Sequence, residues 1–96
     1  LYRVESYSGV KHDLKKLAKR LRELILERDY SIIAENPYCA SPLSHQLKGL
    51  WSYHVNYHGS EYRIVYEIDS HTETVLVIMI GSREGFYTAL RRRVKG

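Results

Sequence analysis

The sequence predicts an α+β domain: a small antiparallel sheet, made of an N-terminal strand and a three-stranded meander, with two helices packed on one face and a short C-terminal helical segment. Three observations predict it. Residues 50–58 and 62–68 alternate apolar and polar side chains, the period of half-buried strands. Val10, Leu14, Leu17 and Leu21 recur instead at helical spacing, and Ile25, Ile32 and Ile33 extend that stripe. The clusters His58-Gly59-Ser60-Glu61 and Asp69-Ser70-His71-Thr72-Glu73 separate apolar runs where a meander needs its turns.

Tyr2 to Ser6 reads as the first strand, and Ser8 is placed to cap the helix that follows. A break near Ala18 to Arg20 turns the helical segment into a pair whose apolar stripes face one side of the sheet. Asp29 falls on that stripe, four residues after Ile25 and three before Ile32. An unpaired carboxylate there is costly to bury, so the helix is expected to fray at Asp29 or to bring a cation to it. Asn36-Pro37 ends the helix, and residues 37–49, with Pro37, Pro42 and Gly49, form a loop into the sheet.

Strand parity sorts the meander into two faces. Trp51, Tyr53, Val55 and Tyr57 point one way, and Ser52, His54, Asn56 and His58 the other. Tyr62, Ile64, Tyr66 and Ile68 oppose Arg63, Val65 and Glu67 in the same manner. Pairing Tyr57 with Tyr62 keeps the apolar sets together and sets Asn56 opposite Arg63, with His54 diagonal to it. Matching Ile64, Tyr66 and Ile68 to Ile78, Leu76 and Thr74 leaves Val75, Val77, Met79 and Gly81 on the arginine face, and Arg83 continues their row. His54, Asn56, His58, Arg63 and Arg83 are then expected to form one polar rim.

Composition bounds the function. The 96 residues, 44% of them hydrophobic, suit one domain spanning 1–96 with a single core. No apolar run approaches the roughly 18 to 20 residues of a membrane span, and none reads as a signal peptide. Without an initiator Met, the chain is expected to have lost its first residues. Cys39, the single cysteine, has no disulfide partner, and no Cys or His spacing matches a zinc site. A cytoplasmic protein with neither metal nor cofactor is the expectation. The net charge of +4 is concentrated: Lys11, Lys15, Lys16, Lys19, Arg20 and Arg22 crowd the first helical region, and Arg91, Arg92, Arg93 and Lys95 close the chain. Such ends suit a polyanion such as RNA, or simply a solvated surface.

The order of strand, two helices and meander carries four short motifs: Glu35-Asn36-Pro37, Leu47-Lys48-Gly49-Leu50-Trp51, Tyr62-Arg63-Ile64-Val65-Tyr66-Glu67-Ile68-Asp69 and Ile80-Gly81-Ser82-Arg83. In this order and spacing the chain resembles, over nearly its whole length, the RelE/ParE family of type II toxins. The resemblance implies helices on one face of an antiparallel sheet, a cognate antitoxin that wraps around the toxin, and, for the RelE branch, metal-independent cleavage of mRNA in the ribosomal A site. The other branch implies a non-enzymatic ParE-like gyrase inhibitor, or a module that only binds its antitoxin, on the same fold.

Roles follow where residues match. Arg63 corresponds to the strand arginine that holds the scissile phosphate, Arg83 to the one beside the leaving 5′ oxygen, and Tyr87 to the C-terminal tyrosine that orients substrate. RelE has a pair of lysines where this chain has His54 and Asn56, so the general base passes to His54 or His58, as in members that use histidine. Histidine suits proton abstraction near neutral pH, and arginine's planar fork suits the charge of a phosphorane. Lys48, Arg91, Arg92 and Arg93 are the expected RNA-binding cations. The plainer alternatives are an Arg63 that only pairs with Glu61, Glu67 or Glu84, and a Tyr87 that only anchors the core.

Overall fold

In a computed structural model, which describes residues 1–82 and 84–95, the expected α+β architecture is present. Strand β1 (Arg3–Ser6) leads into helices α1 (Val10–Lys15) and α2 (Lys19–Leu24), a π-helical turn (Ile25–Asp29) and α3 (Tyr30–Glu35). Short 3₁₀ turns at Pro37–Cys39 and His45–Leu47 flank a two-residue strand, β2 (Ser41–Pro42). The meander β3 (Leu50–Tyr57), β4 (Ser60–Asp69) and β5 (Thr74–Ser82) precedes α4 (Phe86–Lys95). The sheet order is β1-β5-β4-β3-β2. The meander is antiparallel, as expected, while β1 runs parallel to β5 and β2 adds an edge strand that the sequence read as loop. Pro42 suits that edge, where its missing N–H costs no ladder bond.

The helical stripe is buried at Leu21, Ile25, Asp29 and Ile33, a strict spacing of four. In an α-helix each such step overshoots a full turn by about 40°, so the stripe would drift off the sheet. The π turn at Ile25–Asp29 takes up the excess. Asp29, expected to fray the helix or find a cation, is held in helical backbone: Tyr53 Oη donates to Oδ1 at 2.8 Å, and Arg28 donates Nε and Nη2 to its two oxygens at 3.2 Å each. The Ser8 cap does not form. Helix α1 starts after Gly9 without a side-chain cap, and Tyr7 is instead drawn to Val77, whose carbonyl accepts its N–H at 2.8 Å.

The first core joins these helices to one sheet face through Val10, Leu21, Ile25, Ile33, Ile64, Tyr66, Val75 and Val77. A second core lies on the other face, where α4 packs Phe86 and Leu90 on Leu47, Leu50, Val65 and Met79. The expected pairing of Tyr57 with Tyr62 is replaced by a two-residue turn. His58 and Gly59, at φ 50° and 79°, make the doubly left-handed turn that matches strand twist, and Tyr57 pairs with Ser60. The β4–β5 register also departs from expectation. Val65 pairs with Met79 but Tyr66 with Val77, so Ile78 is an extra, bulged residue. Met79 and Gly81 stay on the arginine face, whereas Val75 and Val77 move to the first core.

Beyond β1 the edge of β5 is closed by a part-buried ion pair. Asp13 accepts the Ile80 N–H at 3.0 Å, and Arg93 donates Nη1 to the bulged Ile78 carbonyl at 3.0 Å. The two side chains meet at 2.6 and 3.0 Å. Helix α4 is thereby tied to α1 and β5.

Tyr66 Oη donates to the Pro37 carbonyl at 2.6 Å. Burial pushes the Tyr53 and Tyr66 phenols above the ordinary tyrosine range, and at Tyr53 the bond to Asp29 adds to the effect. Both groups keep protons in the folded protein that the unfolded chain releases near pH 10. The associated stability is complete below about pH 10 and declines as pH rises beyond it. Thermal melts across this range should show a shallower alkaline decline for Tyr66→Phe than for the wild-type chain; parallel declines would contradict the linkage.

Candidate functional site

On the face opposite α1–α3, strand pairing sets His54, Arg63 and Gly81 side by side across β3, β4 and β5. His54 is therefore directly opposite Arg63 rather than diagonal to it, and Asn56 is opposite Glu61. The shift arises from the short His58-Gly59 turn, which moves the register by two residues and so preserves the faces. Gly81 leaves room beside Arg63, because a Cβ there would stand 3.2 Å from the Phe86 ring. That close approach seats the start of α4, and with it Tyr87, over the row.

Arg63 is unusually enclosed for a cation. Its side chain is 12% exposed, its guanidinium carbon lies 5.0 Å from the centre of the Tyr87 ring, and its Nη2 is 2.9 Å from Glu61 Oε1. The aromatic face and the carboxylate both attract the guanidinium and hold it in place. Its Nε is buried without a hydrogen-bond partner among the described residues, and the same holds for Ser52 Oγ, one row away. An unanswered donor in a buried guanidinium costs free energy unless a ligand oxygen completes it. The same Glu61 Oε1 is 3.9 Å from His54 Nδ1, so one carboxylate stands between imidazole and guanidinium. Beyond it an open basin is lined by Asn56, Gly59, Ser60, Glu61, Ser82 and Glu84.

The other expected site residues are distributed differently. His58 lies in the hairpin turn and stacks on Tyr57, with ring centroids 4.2 Å apart and planes at 23°. It is four residues beyond His54, about 13 Å along the strand direction, and does not join the polar row. Arg83 lies outside the described residues. Lys48, Arg91 and Arg92 are exposed, Lys48 ahead of β3 and the two arginines on α4. Arg93, expected among the RNA-binding cations, is committed to Asp13 and Ile78, and the bonds it donates to Asp13 stabilise its charged form further. Among the described residues no three His, Cys, Asp or Glu side chains gather as metal ligands, and no helix is long and apolar enough to cross a membrane.

The Arg63–Glu61 pair and the shared face of Ser52 and His54 are as the sequence suggests, but the sequence marks neither Glu61 nor Ser52 as a site residue. Glu61 shares the parity of Arg63, but it was assigned to a four-residue turn; a two-residue turn puts it in the strand, aimed at the same face.

Residues 4–91 match the sequence family described as the ParE-like toxin of type II bacterial toxin-antitoxin systems. Among solved structures, the chain is similar to the toxin-antitoxin complex RelBE2 from Mycobacterium tuberculosis, with 28% identity and a TM-score of 0.72 over 85% of this chain and 98% of that one. It is also similar to a mutant E. coli toxin RelE in the free state, with 21% identity and a TM-score of 0.73 over 97% of each chain. The archaeal RelE-RelB complex from Pyrococcus horikoshii gives 19% identity and a TM-score of 0.62 over 86% of this chain and 96% of that one. At the identities of the last two, the likeness is one of fold. No curated protein matches the chain.

Proposed function

Because the chain belongs to the ParE-like toxins of type II bacterial toxin-antitoxin systems, we propose that its toxicity comes from cleaving mRNA on the ribosome, through attack of a 2′-hydroxyl on the adjacent phosphate. The observation that carries this reading is the pairing of His54 with an enclosed Arg63 whose Nε lacks a partner among the described residues. A phosphodiester oxygen accepting from that Nε completes the guanidinium and rests beneath Tyr87.

His54, 44% exposed and one strand from Arg63, accepts the 2′ proton. The O2′–P bond forms as negative charge grows on the phosphoryl oxygens, and Arg63 stabilises that charge in a site already organised for it. The P–O5′ bond then breaks, leaving a 2′,3′-cyclic phosphate and a 5′-hydroxyl, with Arg83 assigned to the leaving oxygen. Tyr87 orients the strand. Lys48, Arg91 and Arg92 supply longer-range attraction for RNA, a contribution that weakens with salt. Neither base nor charge stabiliser requires a metal in this scheme. A cognate antitoxin of acidic character is the proposed partner, in line with the toxin-antitoxin complexes among the similar structures, and the ribosome places the activity in the cytoplasm.

The second reading is a non-enzymatic ParE-like gyrase inhibitor, in which the 2.9 Å pairing of Arg63 with Glu61 serves the sheet alone. Induction in a bacterial host separates the two. The ribonuclease reading expects discrete cuts within translated messages while plasmid supercoiling stays normal, and purified protein that cuts programmed ribosomes' mRNA equally well with a chelator present. Intact messages in cells with relaxed plasmid DNA would establish the gyrase reading instead.

A further inference from the structure

From the position of Glu61 between the two principal side chains, we infer that it is a positioning residue which passes from Arg63 to His54 when a phosphate arrives; the inference rests on the ribonuclease reading of this site. In the free protein Glu61 Oε1 forms an ion pair with Arg63 Nη2 at 2.9 Å and lies 3.9 Å from His54 Nδ1. The carboxylate is 28% exposed, and among the described residues Arg63 and His54 are the cationic side chains within 4 Å of it. His54 is its diagonal neighbour across the strand pair, and Asn56 stands directly opposite.

A phosphodiester bound to Arg63 brings a second anion to a guanidinium that Glu61 already occupies. Like charges that close repel, and the phosphate can use donors that Glu61 leaves vacant, including the buried Nε. Glu61 then turns toward the next donor within reach. About 1 Å of travel closes the gap to His54 Nδ1 to hydrogen-bond length, well within one side-chain rotation.

That contact fixes the imidazole for its task. With Nδ1–H donated to Glu61, the Nε2 lone pair is free to face the 2′-hydroxyl, the arrangement by which a carboxylate holds a catalytic histidine in its productive tautomer. The 2′ proton passes to Nε2, the Nδ1 proton stays where it is, and Glu61 remains ionised while stabilising the imidazolium. Glu61 thus couples occupation of the phosphate site to readiness of the base. Without phosphate it restrains Arg63; with phosphate it aligns His54.

The test follows His54 ring nitrogens by long-range ¹H–¹⁵N NMR while inorganic phosphate is added to the full chain. Saturating phosphate should move His54 to the Nδ1–H tautomer in the wild-type chain and in Glu61→Gln, whose amide oxygen still accepts, but not in Glu61→Ala. On programmed ribosomes Glu61→Ala should lose about 10²-fold in single-turnover cleavage while binding RNA no more weakly, because Arg63 is released from competition. Glu61→Gln should recover part of the rate. A His54 tautomer that responds to phosphate identically in wild type and Glu61→Ala overturns the inference. So does a Glu61→Ala variant that loses RNA binding in proportion to rate, the result expected if the pair merely supports Arg63. A tautomer switch in a wild-type protein that cuts no RNA would uphold the handover and reject the ribonuclease reading.

Discussion

Replacing Arg63 with Ala should slow mRNA cleavage by about 10²–10³-fold, the loss that follows removal of one preorganised donor to a developing anion. The magnitude rests on enclosure. A guanidinium 12% exposed and overlain by Tyr87 needs no reordering when charge builds on the phosphate. Arg63→Lys should recover only part of the rate, because an ammonium keeps the charge but loses the fork and the Nε–H. Folding should survive, since Glu61 lies at a partly open edge where water can reach it. Single-turnover assays paired with thermal melts measure both quantities. A folded Arg63→Ala protein that cleaves at the wild-type rate would remove Arg63 from the chemistry.

The second large effect is on stability and lies away from this row. Asp13→Ala strands the Arg93 guanidinium and the Ile80 N–H, and Arg93→Ala strands a carboxylate with 7% side-chain exposure and the Ile78 carbonyl. Each should cost about 3 kcal/mol, the lower end of what removing one member of a buried pair costs, because Arg93 keeps 23% side-chain exposure. In a domain of this size the melting temperature would drop by more than about 10 °C. The double variant should lose less than the sum, because neither charge is then left unmatched. Denaturant titrations of the four proteins provide the cycle. Additive losses below about 1 kcal/mol each would show the pair to be a surface contact with no part in closing the β5 edge.

The degree to which sequence reveals this fold differs from element to element. Alternation in residues 50–58 and 62–68 identified the strands and the correct face for His54 and Arg63. It could not choose between registers that differ by two residues, since both preserve the faces. The choice fell to the turn, and His58-Gly59 is a weaker signal than Asn-Gly for the same geometry. In β5 the run Val75 to Ile80 is apolar throughout, buried against α1–α3 on one side and α4 on the other. A strand covered on both faces has no alternation to betray a bulge. Leu50 and Val65 on the supposed polar face were the legible hint of a second core. Asp13 and Arg93 stand 80 residues apart, and no local pattern joins them.

The chemistry at the His54–Arg63 row is tested most directly with a ribosome-bound mRNA carrying a single 2′-deoxynucleotide on the 5′ side of a mapped cleavage site. The wild-type protein should leave 2′,3′-cyclic phosphate and 5′-hydroxyl ends on the unmodified message and no cut at the deoxy position, because the internal nucleophile is missing. Cleavage there at an undiminished rate, or ends bearing a 5′-phosphate, would mean that water or another group attacks the phosphate and that His54 has no 2′ proton to remove.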